Sequence, residues 1–178
     1  MSDRPTIQPD TKDWTWVLER PCPECGLESG SIAGEQVPDI IRRNVSAWVD
    51  VLGGDDVGRR PRPDVWSPLE YACHVRDVLR LYDERLQLML DQDDPLYSNW
   101  DQDATAVAER YWEQHPSVVA DQLRAAGHQL ADRFAAVRPE QWARTGRRSD
   151  GAVFTVESFA RYFVHDVVHH LHDVSAPE

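Results

Sequence analysis

The sequence has little of what most readily announces a function. Among 178 residues there are only three cysteines, an odd number and too few for a disulfide framework, which fits a reducing compartment. No apolar run approaches the ~18–20 residues that a membrane span needs. The opening Met1-Ser2-Asp3-Arg4-Pro5 lacks the charged-then-apolar layout of a secretory signal. A cytoplasmic location with no membrane partner is expected on these grounds. Basic residues are also scarce, 19 Lys and Arg against 31 Asp and Glu, for a net charge of −12. Nucleic acid is therefore not an expected partner, because phosphate contacts need a basic patch. The densest basic group, Arg59, Arg60 and Arg62, reads as a solvated loop. No Gly-rich phosphate loop, nucleophile elbow or dinucleotide fingerprint occurs, so no nucleotide cofactor is implied.

What is present is helical periodicity. Residues 1–35 are broken by Pro5, Pro9, Pro21, Pro23, Gly26, Gly30 and Gly34 and read as an irregular N-terminal extension that packs on the rest through Trp14, Trp16, Val17 and Leu18. From residue 36 to 178 the pattern is that of one domain. Ile40, Ile41, Val45, Trp48, Val49 and Leu52 recur at helical spacing and stop at Gly53-Gly54. Ser67, Pro68 and Glu70 form the N-terminal signature of a second helix, to about Asp91. A short helix is expected over 104–114, a longer one from Ser117 to about Val137 slightly weakened by Gly127, and a last one from near Thr155. No alternating strand pattern is long enough to build a sheet. Helices with one apolar stripe each bury it most simply against one another, so an all-α four-helix bundle is expected.

Seven histidines occur, four of them between positions 165 and 172. His165 and His169 are spaced i, i+4, which puts both imidazoles on one helix face, one turn apart. His74 lies two turns into the second helix on a face with Tyr71, Val78 and Leu81. A single histidine on an apolar face is usually a packing residue. Three of them, on helices a bundle can bring together, favour a divalent metal ion held by His74, His165 and His169. Three imidazoles with an open position describe a catalytic type of site. Zinc is the expected ion, and nickel, iron and manganese also suit such donors. His172 shares the stripe as an extra ligand or orienting group, whereas His170 is rotated about 100° from His169 and is expected to face solvent. Asp77, Asp166 and Asp173 are neighbours able to orient a ligating histidine, with Asp173, i+4 from His169, the best spaced. Arg161 can meet a substrate carboxylate or pair with Glu157 at i−4.

The run Trp66-Ser67-Pro68-Leu69-Glu70 leading to His74, together with His165-Asp166-Val167-Val168-His169, resembles the DinB-like superfamily over roughly residues 36–174. That superfamily includes mycothiol-dependent maleylpyruvate isomerase and related thiol transferases. The resemblance implies a four-helix bundle with a long crossover and a metal near one end. By it, His74 takes the place of the ligand on the second helix, and His165 and His169 that of the pair on the last. In the maleylpyruvate isomerase branch one of that pair is a carboxylate, whereas histidine stands at both places here. The implied activity is a metal-dependent transferase or isomerase using a low-molecular-weight thiol such as mycothiol, since metal coordination strips the thiol proton. Its partners would be the thiol and an electrophilic substrate.

Cys22-Pro23-Glu24-Cys25-Gly26 is a CxxC resembling one knuckle of a zinc site, without a second CxxC to complete it. Three readings stay open: a turn with free thiols, a redox pair, or extra ligands that approach the bundle metal. Cys73 is expected in packing. The rivals to an enzyme are a non-catalytic, metal-stabilised stress-response or interaction module, and a bundle of packing histidines that forms a homodimer through exposed helix faces.

Overall fold

The computed structural model describes residues 7, 9 and 12–175; the readings made for the remaining terminal positions lie outside the described residues. Five helices occur there: α1 Val37–Leu52, α2 Pro68–Asp91, α3 Gln102–Ala108, α4 Pro116–Ala135 and α5 Val156–Ser175. Helices α1, α2, α4 and α5 form the bundle. Both α1 and α2 pack against α4 and α5, so the two helices adjacent in sequence sit mainly across the bundle from each other. Trp48, Leu79, Leu86, Leu123, Leu130, Phe134, Phe159 and Phe163 fill the space between them. Burying each such side chain stabilises the fold by about 1.5–3 kcal/mol.

Helix α2 begins where the sequence indicates. Ser67 Oγ accepts the Glu70 amide at 3.2 Å, and Glu70 Oε2 accepts the Ser67 amide at 2.9 Å. Arg60 clamps the same carboxylate at 2.6 Å, and both side chains are buried or nearly so. The arginine cluster is thus no solvated loop at its centre: Arg60 is the cation that a buried capping glutamate requires. At α4, Pro116 is the first residue of the helix, one before the expected start at Ser117, because a missing N–H costs nothing at that position. Gly127 has a role beyond propensity. A Cβ there would lie 2.3 Å from Val45 Cγ2, so its hydrogen side chain lets α1 and α4 approach closely.

A small sheet, not expected from the sequence, lies at one end. Strands β1 Leu96–Tyr97, β2 Thr145–Arg148 and β3 Val153–Thr155 pair in that order. Strand β1 runs parallel to β2, with Tyr97 opposite Arg148, and β2 is antiparallel to β3. Strands this short carry too little alternation to be read as a pattern. The sheet holds the start of α5, whose first amides bond to the Arg144 and Trp142 carbonyls. Reciprocal Thr155–Ser158 hydrogen bonds cap the same end. Residues 12–36 form three short 3-10 turns that pack along α5, with Val17 and Cys22 buried.

Candidate metal centre

The reciprocal cap and Arg60 set the start of α2, and His74 follows one turn after Glu70. It is 1% exposed, between Trp66 (ring centroids 5.3 Å apart) and Trp100, which stacks on it at 5.5 Å and 10°. The third ring against it is that of His170, edge-on at 4.7 Å. Asp166 completes the group, with Oδ2 3.8 Å from His74 Nε2 and Oδ1 3.5 Å from His170 Nε2. Donor atoms of His74, Asp166 and His170 all lie within 4.8 Å of one another.

A second group stands one residue back along α5. Donor atoms of Cys22, Cys25, His165 and His169 also lie within 4.8 Å of one another. The structure therefore divides the expected trio. His165 and His169 do share a face, but that face meets the N-terminal segment, and His74 gathers Asp166 and His170 instead. A step of one residue turns a helix by 100°, so two i, i+4 pairs interleave on the same two turns and look in different directions. His170, expected in solvent, has a side chain only 18% exposed. His172 is exposed and belongs to neither group. Asp173 lies between them, Oδ1 3.6 Å from His169 Nε2 and Oδ2 3.2 Å from His170 Nδ1. Asp77 is engaged elsewhere, by Arg76 and by the Tyr111 hydroxyl at 2.6 Å.

The electrostatics of the first group follow from burial and from this pairing. Burial, helped by the charge of His170, pushes His74 down to about 3. Burial would also lower His170, but Asp166 and Asp173 outweigh it and raise the group to about 9. Against its own burial, the Asp166 carboxyl is held at about 2 by His170. At neutral pH the group thus offers one neutral imidazole, one carboxylate and one imidazolium. Both ring nitrogens of His74 and Asp166 Oδ2 are buried without a hydrogen-bond partner. A buried polar atom left unpaired costs about 1–3 kcal/mol; His74 Nε2 and Asp166 Oδ2, which face each other at 3.8 Å, fit a cation held between them. The donor types suit a divalent transition metal.

This group forms part of the wall of a cavity of about 960 Å³, which also touches His165, His169, Trp66, Tyr71, Trp100 and Tyr162, so the three histidines of the expected trio border one space, near the upper end of the ordinary range for small-molecule sites. Two arginines that the sequence did not single out face it. Arg85, 5% exposed, donates to the Ser98 carbonyl at 2.7 Å and lies 4.7 Å from the Tyr97 ring centroid. Among the described residues no carboxylate is within ion-pair distance of it. Arg148, delivered by β2, pairs with Asp150 at 2.8 Å. Arg161 is not a cavity residue: it donates to the Ile32 carbonyl and to Glu157, both at 2.9 Å, so its local partner takes the charge offered to a substrate. The three-stranded sheet brings Arg148 here, and no local sequence signal marks that.

A four-helix bundle that presents histidine and carboxylate donors to an open cavity belongs to the class of helical metal-site proteins. Residues 39–174 match the sequence profile of the DinB superfamily, and the chain belongs to that family. Among solved structures it is similar to YfiT from Bacillus subtilis, with 18% identity, 96% of this chain and 92% of that chain covered, and a TM-score of 0.59. That protein is described as "a probable metal-dependent hydrolase with an unusual four-helix bundle topology". At this identity the likeness speaks for the fold alone. No curated protein matches the chain.

Proposed function

We propose that the protein is a metal-dependent enzyme whose ion is held by His74, Asp166 and His170, and that it joins a low-molecular-weight thiol such as mycothiol to an electrophile or uses it to isomerise one. The observation that carries this is the set of orphaned donors in the wall of a large, open cavity. A module whose ion only stabilised the bundle would need no such space. The set keeps His74 from the expected trio and exchanges the pair on α5 for its neighbour. Asp166 then supplies the carboxylate found on the last helix in the maleylpyruvate isomerase branch.

When bound, a divalent ion such as zinc supplies Lewis acidity that lowers the pKa of a thiol or water ligand toward neutrality. The chain's own residues do the rest. His74 keeps a free lone pair at neutral pH because burial disfavours its cation. Asp173 accepts from His170 Nδ1, which leaves Nε2 toward Asp166 and His74. Trp66 and Trp100 pack against the His74 ring and hold its orientation. Arg85 and Arg148 offer positive charge to a substrate carboxylate. The printed description of YfiT favours a second reading, in which water takes the place of the thiol. Calorimetric titration of the zinc-loaded protein with mycothiol tests the first: binding is expected, and is abolished by His74→Ala. Ester or amide cleavage without thiol, lost in the same variant, selects the second. Neither thiol binding nor His74-dependent turnover would refute both.

A further inference from the structure

We infer that Cys22, Cys25, His165 and His169 form a second, closed metal site of the zinc class, which fastens the N-terminal segment to α5. The sequence supplies two half-sites, a CxxC and an i, i+4 histidine pair, and the fold brings them together although 147 positions separate Cys22 from His169. Four donors, two sulfurs and two ring nitrogens, fall within 4.8 Å of one another. In a tetrahedron with ordinary Zn–S and Zn–N distances the sulfur-to-nitrogen edge is about 3.6 Å. Cys22 Sγ stands 3.7 Å from His169 Nδ1.

The surroundings are those of a ligand set. The Gly26 amide donates to the Cys22 carbonyl at 2.8 Å and the Cys22 amide to the Leu27 carbonyl at 2.9 Å, and Gly26 takes φ +74°. This turn, which needs glycine at its left-handed position, puts both sulfurs on one side. His165 is 4% exposed, and its Nε2 is buried without a hydrogen-bond partner. His169 has Nδ1 toward Cys22, while its Nε2 lies 3.4 Å from Glu24 and 3.6 Å from Asp173, the carboxylate support that ligating imidazoles commonly have. Trp14 covers both rings, at 5.6 Å from His165 and 5.2 Å from His169. A redox pair would need the two sulfurs alone and would leave both histidines without a task. Two thiolates also neutralise a divalent ion, which lowers the cost of holding it away from water. Two thiolates and two imidazoles select zinc over the harder cations.

Four protein donors leave no open position, so this ion is structural. It would fix the segment that contributes Lys12, Asp13, Trp14 and Thr15 to the cavity wall. Asp173, with one oxygen toward each histidine pair, would tie the two sites together.

The full chain loaded with cobalt(II) under reducing conditions tests this without any substitution. Two ions per chain and a near-ultraviolet sulfur-to-cobalt charge-transfer band are expected, with Cys22 and Cys25 protected from alkylation until a chelator is added. Cys22→Ser with Cys25→Ser should abolish the band and one ion. His74→Ala should remove the other ion and keep the band, so failure of the first site and failure of this one are read separately. Absence of the band from the wild-type chain overturns the inference. So does equal alkylation with and without metal, or a band that vanishes with His74→Ala, which would mean that the cysteines reach the bundle ion. If the double serine variant does not fold, the wild-type spectrum and its metal count decide.

Discussion

Loading a divalent ion at His74, Asp166 and His170 should expel a proton, and the structure says from where. In the metal-free protein His74 is already neutral, with a pKa of about 3, and Asp166 is already ionised, at about 2. His170, raised to about 9, is almost fully protonated at pH 7 and must lose its proton to coordinate. The gap from pH 7 to 9 is about two pKa units, or about 2.7 kcal/mol against binding, a hundredfold in apparent affinity. Affinity should therefore rise nearly tenfold per pH unit between about pH 6.5 and 8.5. The sign for stability is the reverse. Because the folded pKa of His170 lies above its unfolded value of about 6.5, its pairing with Asp166 and Asp173 stabilises the metal-free protein fully below pH 6.5. That contribution, on the order of 3 kcal/mol, is lost as pH rises through 9. Zinc calorimetry at pH 7 in buffers of different ionisation enthalpy measures the proton count. The variant carrying Cys22→Ser and Cys25→Ser removes thiol protons from it. About one proton released per ion is expected; a value near zero, or near two, would refute the reasoning.

Three further outcomes follow from the same packing. Gly127→Ala should lower the unfolding midpoint: the overlap with Val45 costs about 1–3 kcal/mol, above the roughly 1 kcal/mol that alanine gains in a helix. A raised midpoint would count against the close α1–α4 approach. Glu70→Ala should cost about 3–5 kcal/mol by removing the buried carboxylate that compensates the Arg60 charge, against about 1 kcal/mol for Ser67→Ala; equal losses in denaturant titrations would show that the ion pair adds nothing. Opposed by burial, Arg60 and Ser67 hold the Glu70 carboxyl below its ordinary value. This stability is present above about pH 4.5 and lost as pH falls through the lowered value, so wild type and Glu70→Gln should converge in acid. Arg148→Met should weaken a carboxylate-bearing inhibitor about tenfold or more while leaving the zinc content unchanged; loss of zinc instead would give Arg148 a structural role.

The bundle was legible because its signals are local. Ser67, Pro68 and Glu70 announce α2, and the 3.6-residue spacing of apolar residues survives in any single helix whatever it packs against. The histidine pair on α5 was legible for the same reason, as was the CxxC. Which donors meet was not. His165 with His169 and Asp166 with His170 have identical spacing, and only the rotation of α5 against α2 and against residues 12–36 decides which pair faces His74. The same holds for Arg60, whose partner lies ten positions away, for Gly127, whose task depends on Val45 across a helix interface, and for Arg85 on α2, which meets Arg148 at one cavity because a sheet of two- to four-residue strands carries the latter there. Chain order sets helices and candidate ligands, because those depend on neighbours three or four residues away. Tertiary packing sets the ligand groups, because coordination depends on distances between side chains that the sequence keeps far apart.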